Sequence, residues 1–142
     1  MYRYFLLLLL SLFLISCSSD SLPKIKVKTL DNRGVYLSDY KGRRVLLYVW
    51  SKTCAGHSKD LALLSEMAEK KRDYLIISYA VAMEPQDVIR SYKDLGIRDN
   101  FLTLVDTEVK FNDHFPITFL PSSYIFDERG RFIKAYQGLH IP

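Results

Sequence analysis

A short apolar run, Val45-Leu46-Leu47-Tyr48-Val49, is the feature that most constrains what this chain can fold into. A continuous run of this length predicts a strand that is buried on both faces, as the central strands of a sheet are. The run leads through Trp50 and three polar residues to Cys54, and apolar residues then recur at helical spacing between about residues 55 and 71. The sequence therefore predicts a buried strand, a loop that carries a cysteine, and an amphipathic helix in direct succession.

Strand and helix patterns alternate along the rest of the chain. A second helix is predicted to begin at Pro85, which suits a first helical turn, and to stop at Gly96. Residues 108–115 predict a short helix or an irregular turn. Further strands are predicted at residues 25–29, 35–37, 74–81, 101–105, 122–126 and 132–136. Alternating strands and helices of this kind predict an α/β domain with a central sheet between helices.

Composition restricts the class of protein. The chain has 142 residues, of which 49% are hydrophobic and 25% charged, and this balance is typical of one folded domain. The formal charge of +4 is spread among interspersed acidic and basic residues. No basic cluster interleaves with aromatic residues, so the sequence does not favour nucleic-acid binding.

The first 17 residues have the pattern of an export signal. Arg3 precedes an apolar run at residues 4–15, which is shorter than the roughly 20 residues of a membrane span. The run ends in Leu14-Ile15-Ser16-Cys17, which resembles the lipobox of bacterial lipoproteins. That resemblance implies a signal peptide at 1–16, lipidation of Cys17, a tether at 17–24 and a domain at 25–142, held at the bacterial cell envelope on its periplasmic or extracellular face. An ordinary signal peptide with a chance cysteine is the alternative.

The two cysteines are therefore predicted to have different roles. If Cys17 carries lipid, Cys54 is the one thiol of the domain, and no internal disulfide can form. A thiol at the start of a helix is close to unpaired backbone N–H groups and to the positive end of the helix dipole. We therefore expect the pKa of Cys54 to be lowered. His57, three residues later, lies on the same helix face and can reach the sulfur.

Several motifs together resemble one family, the membrane-tethered thioredoxin-like thiol–disulfide oxidoreductases of the TlpA/ResA type in the redoxin (AhpC/TSA) superfamily. The resemblance implies a thioredoxin-like three-layer sandwich with a central mixed sheet. It also implies that Cys54 is the attacking thiol, that Asp60 is the acidic residue common on the next helix, and that Trp50, Leu120 and a cis Pro121 form the substrate groove. The motifs that carry the resemblance are Leu37-Ser38-Asp39-Tyr40-Lys41-Gly42-Arg43, the strand ending in Trp50, Cys54, and Leu120-Pro121-Ser122-Ser123-Tyr124-Ile125-Phe126-Asp127 followed by Gly130.

The sequence departs from the family pattern at several positions. His57 replaces the second, resolving cysteine, so that Cys-x-x-His stands in place of Cys-x-x-Cys. Ala62 replaces a proline of the helix, and Phe119 replaces a glycine before the cis-proline loop. The family's C-terminal helix is not found before Pro142, and without it we expect apolar sheet surface to be exposed.

Three functions remain open. Cys54, modulated by His57, could exchange disulfides as a single thiol, with cysteine-containing extracytoplasmic proteins or a membrane thiol reductant as partners. The chain could instead be a redox-inactive binding module on the same fold. Alternatively, Cys54 and His57 could bind Cu(I) or Zn(II), with His114 or His140 completing the site. No Cys-x-x-Cys-His haem motif occurs, and no cofactor is expected.

Overall fold

A seven-stranded mixed sheet forms the centre of the molecule, as the computed structural model shows for residues 20–54 and 56–142. The predicted α/β class is confirmed. The signal peptide predicted at 1–16 and the lipidated Cys17 lie outside the described residues. In chain order the strands are β1 (Lys26–Lys28), β2 (Gly34–Tyr36), β3 (Arg44–Trp50), β4 (Tyr74–Val81), β5 (Leu102–Asp106), β6 (Ser122–Phe126) and β7 (Phe132–Gln137), and they lie in the order β2-β1-β5-β4-β3-β6-β7.

The predicted central strand is β3, which lies between β4 and β6. It runs parallel to β4 and antiparallel to β6, and every side chain from Val45 to Trp50 is fully buried. Strand β4 also runs parallel to β5. The three parallel strands therefore begin at one edge of the sheet, here called the amino edge, and end at the other, the carboxyl edge.

The two α-helices pack on the same face of the sheet. Helix α1 (His57–Lys70) and helix α2 (Pro85–Leu95) bury leucine, valine and tyrosine side chains against one set of strand residues. The opposite face is covered by the N-terminal segment and by two 3-10 helices, Leu37–Tyr40 and Lys110–Asp113. The third layer of the sandwich is therefore made of short turns. Part of the segment predicted as a short helix or irregular turn at 108–115 is the second of these 3-10 helices.

Part of the predicted tether belongs to the folded domain. Leu22 is 2% exposed and packs in the core of the helix-free face. Its backbone N–H donates to the Gly130 carbonyl at 2.8 Å, and the Phe132 N–H donates to the Asp20 carbonyl at 2.8 Å. The packed domain thus includes residues 20–24, upstream of the boundary predicted at residue 25, because Leu22 buries an apolar side chain that a free tether would expose.

The segment after β7 lies against the face that carries the helices. Leu139 and Ile141 pack on that core, and the Ser123 hydroxyl donates to the Gly138 carbonyl at 2.7 Å. Residues 138–142 contain no helix, but they cover part of the sheet surface that was expected to be exposed. Within residues 20–54 and 56–142, neither helix has the length and apolar character needed to span a bilayer.

Gly96 ends α2 as predicted, in the left-handed conformation with φ of 65°. We expect Gly96→Ala to lower the free energy of unfolding by about 1 kcal/mol, since a side chain disfavours this backbone region. A Cβ at this position would meet no atom within 4 Å, so backbone strain is the whole effect. Urea unfolding measures the loss. Gly96→Asn is the control and should lose less, because asparagine tolerates the left-handed region; equal losses would contradict this explanation.

Candidate functional site

The carboxyl edge of the sheet brings Cys54 and Pro121 into one region. Cys54 lies in the loop that follows β3, which ends at Trp50. Ser122 at the start of β6 pairs with Val49 in β3. The Leu120–Pro121 peptide therefore lies across from Trp50, and this peptide bond is cis, as predicted. The cis-proline loop and the cysteine loop are thus neighbours because their strands are neighbours.

The Cys54 thiol is free and half-buried. Its backbone N–H donates to the Ser51 carbonyl at 3.1 Å, and the chain then passes through Gly56, whose φ is 83°, before α1 begins at His57. Burial raises the pKa of Cys54 above its ordinary value, and backbone hydrogen bonds at Ser51 and Cys54 oppose this rise. The predicted lowering of this pKa is wrong. Cys54 precedes the first helical turn, and its desolvation outweighs the backbone interactions.

His57 is held by two contacts. Its Nδ1 lies 2.8 Å from the Cys54 carbonyl oxygen, and its ring stacks on the Trp50 indole with centroids 5.3 Å apart and planes 13° from parallel. A carbonyl oxygen can only accept, so Nδ1 carries a proton. In the neutral ring Nε2 is then the free acceptor, and within the described residues no hydrogen bond occupies it.

A buried polar network fixes the indole on which His57 stacks. The Trp50 Nε1–H donates to Ser78 Oγ at 2.8 Å, and the Tyr92 hydroxyl donates to the same oxygen at 2.7 Å. Tyr92 has one proton, so the hydroxyl of Thr103, 2.9 Å away, donates to Tyr92. Burial raises the pKa of Tyr92 to about 12, which keeps it a donor at neutral pH.

The predicted substrate groove needs one correction. The Trp50 side chain is fully buried, so it cannot line a groove. Its indole instead stacks against the His57 ring. Pro121 is buried and Leu120 half-buried, whereas Phe119 is 50% exposed. Of these three side chains, the exposed one is therefore the phenylalanine that departs from the family pattern.

A second contact, which is part-buried, links the central strand to the first turn of α1. The Tyr48 hydroxyl donates to Asp60 Oδ2 at 2.8 Å, and burial together with this carboxylate raises the pKa of Tyr48. The Asp60 charge also raises the pKa of Cys54, after the larger effect of burial. Asp60 therefore acts on the thiol electrostatically, in the direction that keeps Cys54 protonated.

Asp60→Asn is expected to lower the pKa of Cys54, because it removes a negative charge that disfavours the thiolate. The rate of alkylation by iodoacetamide should then rise at pH values below that pKa, while the limiting rate at high pH changes little. The asparagine retains an oxygen that can accept from Tyr48. Mass spectrometry across a pH series measures the rate, with the exposed Glu66→Gln on the same helix as control. An unchanged pH profile in Asp60→Asn would contradict the electrostatic link.

The metal-binding alternative receives no support from the arrangement of ligands. Among residues 20–54 and 56–142, no group of three or more His, Cys, Asp or Glu side chains could hold a metal ion. His114 follows the second 3-10 helix and His140 lies against Tyr136, with ring centroids 4.1 Å apart. Neither completes a site with Cys54 and His57.

Sequence reasoning missed three residues of this site: Tyr48, Ser78 and Tyr92. By sequence pattern, Tyr48 is one more residue of the apolar run in β3, and Ser78 is one position in a buried strand. A signal was present, because a hydroxyl in a strand buried on both faces must find a hydrogen-bond partner. The identity of the partner depends on which strands and helices lie side by side, and the sequence pattern alone leaves that open.

Comparison with known proteins agrees with this geometry. The model of the AhpC/TSA family matches residues 19–135. The thiol-disulfide oxidoreductase ResA of Bacillus subtilis is 25% identical over 126 residues, which cover 87% of this chain and 69% of ResA.

Two solved structures show the same fold. A secreted Mycobacterium tuberculosis disulfide oxidoreductase superposes with a TM-score of 0.68 and 14% identity, over 82% of this chain and 84% of the other. The exposed lipoprotein thioredoxin Etrx1 of Streptococcus pneumoniae superposes with a TM-score of 0.69 and 24% identity, over 84% and 92%. The fold, the cis Leu120–Pro121 peptide beside the cysteine loop and the matched family model lead to one conclusion: this chain belongs to the AhpC/TSA family.

Proposed function

We propose that this chain is an extracytoplasmic, lipid-anchored thioredoxin-fold protein that exchanges disulfides through a single thiol, Cys54. The observation that carries the proposal is the position of this free, half-buried thiol at the carboxyl edge of the sheet, beside the cis Leu120–Pro121 peptide. The relatedness to a thiol-disulfide oxidoreductase supports it. His57, in the place of a resolving cysteine, means that the second thiol must come from another molecule.

The proposed reaction has two exchange steps at Cys54. The Cys54 thiolate attacks a substrate disulfide, so that one S–S bond forms to Cys54, the substrate S–S bond breaks, and the leaving thiolate takes up a proton. An outside thiol then loses its proton and attacks the substrate sulfur of this mixed disulfide. A new disulfide joins the outside thiol to the substrate, and Cys54 leaves as the thiolate. A second outside thiol then attacks that disulfide, so that two outside thiols become one disulfide while the substrate disulfide becomes two thiols.

His57 suits the second step. Its Nδ1 is engaged by the Cys54 carbonyl, so Nε2 is the ring atom that can accept the proton of the incoming thiol. It can then return the proton to the departing Cys54. Trp50, held by Ser78, keeps the ring in this orientation. Proton transfer by a positioned side chain accelerates such steps by about a hundredfold or more.

The raised pKa of Cys54 bears on the direction of exchange. A thiol of higher pKa gives a stronger nucleophile once ionised, and it is a poorer leaving group from its disulfides. Oxidants of this fold depend on a stabilised thiolate, and burial disfavours the thiolate here. Cys54 is therefore suited to reducing disulfides. We infer cysteine-containing extracytoplasmic proteins as substrates and a membrane thiol reductant as the source of the second thiol.

The lipid anchor is part of the proposal. Lipidation of Cys17 would hold the domain at the bacterial cell envelope, with residues 1–16 removed as the signal peptide. The apolar run at 4–15 and the sequence Leu14-Ile15-Ser16-Cys17 support this location. Etrx1, which has the same fold, is itself an exposed lipoprotein thioredoxin.

One observation favours a second function, a binding module without redox activity. The pKa of Cys54 is raised, so less thiolate is present at neutral pH than for an exposed cysteine. Such a module would recognise partners through the same carboxyl edge, where Phe119 is exposed, without forming a covalent bond.

Trapping of the mixed disulfide separates the two functions. The reduced full chain is mixed with an excess of a disulfide-linked peptide, and mass spectrometry follows the adduct at Cys54 and its release by glutathione. We expect one adduct at Cys54 that glutathione releases, and release slowed by about a hundredfold in His57→Ala. Protein alkylated at Cys54 beforehand is the control. Absence of an adduct at Cys54, even at a pH high enough to ionise the thiol, would refute exchange and support the binding module.

A further inference from the structure

The chain enters the folded domain at the amino edge, far from Cys54. Gly130 lies in the turn between β6 and β7, and Phe126 just before that turn pairs with Val45 at the start of β3. The hydrogen bond from Leu22 to Gly130 therefore places the first described residues at this edge. Three peptide steps separate Cys17 from Asp20, which allow at most about 11 Å. A lipid on Cys17 would hold the amino edge close to the bilayer.

The segments that line the amino edge carry an excess of positive charge. Residues 41–44, 69–73, 98–100 and 127–131 contain nine Lys or Arg and five Asp or Glu. The structure brings these segments together: Arg43 Nη2 donates to the Arg72 carbonyl at 2.7 Å, and the Gly130 turn lies against the side chain of Lys41. The excess equals the formal charge of the whole chain, +4.

Ion pairs neutralise the acidic side chains of this edge and leave most of its cations available. Arg44 pairs with both Asp73 and Glu128, while Arg98 pairs with Glu69 and Arg131 with Asp127. Within the described part of the chain, one carboxylate of the edge, Asp99, has no ion-pair partner. Six exposed cations of the edge likewise have none there: Lys41, Arg43, Lys70, Lys71, Arg72 and Arg129.

The carboxyl edge has no comparable excess of positive charge. The segments that follow β4 and β5, residues 82–87 and 107–113, contain four carboxylates and one lysine, and Lys26 and Lys28 of β1 lie beside them. Lys52 in the cysteine loop lies 3.9 Å from one of these carboxylates, that of Asp87. A negatively charged surface would therefore attract the amino edge more strongly than the edge that carries Cys54.

We propose that the amino edge rests on anionic phospholipid headgroups and that Cys54 consequently faces away from the bilayer. The proposal depends on the proposed anchoring at Cys17, which supplies the proximity, and adds the surface that sets the orientation. Each cation near an anionic membrane increases binding by about fivefold. Six of them beside the anchor favour one orientation of the tethered domain.

Amide hydrogen exchange of the full chain on vesicles tests this orientation. The chain is bound to vesicles of phosphatidylcholine alone and to vesicles with about one third phosphatidylglycerol. We expect slower exchange at residues 69–73 and 127–131 on the anionic vesicles, and equal exchange at residues 82–87 and 106–113 on both. At about 1 M salt, where screening reduces the range of charge to about 3 Å, the difference should vanish.

Matched charge variants separate the surface from net charge. The triple variant Lys71→Gln, Arg72→Gln, Arg129→Gln should lose the protection on anionic vesicles. The triple variant Lys26→Gln, Lys28→Gln, Lys110→Gln removes the same charge from the β1 side of the domain and should keep it. Neither variant changes a residue of the site formed by Cys54 and His57. Equal loss in both variants would overturn the proposal, because net charge alone would then explain the binding.

Two further outcomes are distinguishable. If the chain floats with both kinds of vesicle and exchange is the same on both, the orientation proposed here is wrong while the anchoring stands. If the chain floats with neither, the anchoring itself fails and the orientation fails with it. Protection at residues 106–113 on the anionic vesicles would also overturn the proposal, because it would place the carboxyl edge, which carries Cys54, on the bilayer.

Discussion

Replacement of Cys54 by serine is expected to reduce disulfide exchange to the uncatalysed rate. A serine hydroxyl cannot form a disulfide, and no other cysteine lies in the described residues. Since the thiol is half-buried and oxygen is close to sulfur in size, the free energy of unfolding should change by less than about 1 kcal/mol. Reduction of a disulfide-linked fluorescent peptide by glutathione, with and without the protein, measures the catalysed rate.

Cys17→Ser is the matched control for this experiment, because it removes the other cysteine of the chain. We expect this variant to keep the exchange rate of purified protein while losing the proposed lipid. If Cys54→Ser retained exchange and Cys17→Ser lost it, the assignment of the reactive thiol would be reversed.

Asp106→Ala is expected to lower the free energy of unfolding by about 4 kcal/mol, the largest loss of stability predicted for a single polar side chain here. Asp106 is 2% exposed at the end of β5. Its Oδ2 accepts from the Tyr79 hydroxyl at 2.7 Å and from the Phe111 N–H at 2.9 Å, and its Oδ1 accepts from the Lys110 N–H at 2.9 Å. Alanine would leave two buried donors and one part-buried donor unpaired.

Urea unfolding measures this loss, and two variants divide it. Asp106→Asn retains one acceptor oxygen, and Tyr79→Phe removes one of the three donors, so each should lose less than Asp106→Ala. A loss below about 1.5 kcal/mol in Asp106→Ala would mean that water replaces the carboxylate, which the burial of this residue argues against.

Patterns that depend on local physics were predictable from the sequence. Strands β4 and β6 have the predicted bounds, and α2 begins at Pro85 and ends before Gly96 as predicted. Hydrophobic periodicity and the special backbone preferences of proline and glycine act over a few residues, so one sequence suffices to recognise them. The family resemblance supplied the cis Leu120–Pro121 peptide, which periodicity could not.

The chemistry of the site was less predictable, because it depends on contacts between distant residues. The pKa of Cys54 was expected to be lowered from its place near a helix start. Its actual direction follows from how deeply the loop is buried and from Asp60 on the next element. The prediction that Trp50 lines the groove was wrong for a similar reason. Its buried indole donates a hydrogen bond to Ser78, and this bond joins β3 to β4. Burial and cross-strand partners are properties of the folded sheet.

The stack of His57 on Trp50 has an optical consequence. Trp50 is the one tryptophan of the chain, it is fully buried, and its ring faces the imidazole at 5.3 Å. A protonated imidazole in contact with an indole quenches its fluorescence, whereas the neutral ring quenches it less. The emission of the unlabelled protein should therefore report the proton on His57 directly. If His57 carries the proton in the proposed exchange, stopped-flow fluorescence would follow that transfer without a probe attached to the site.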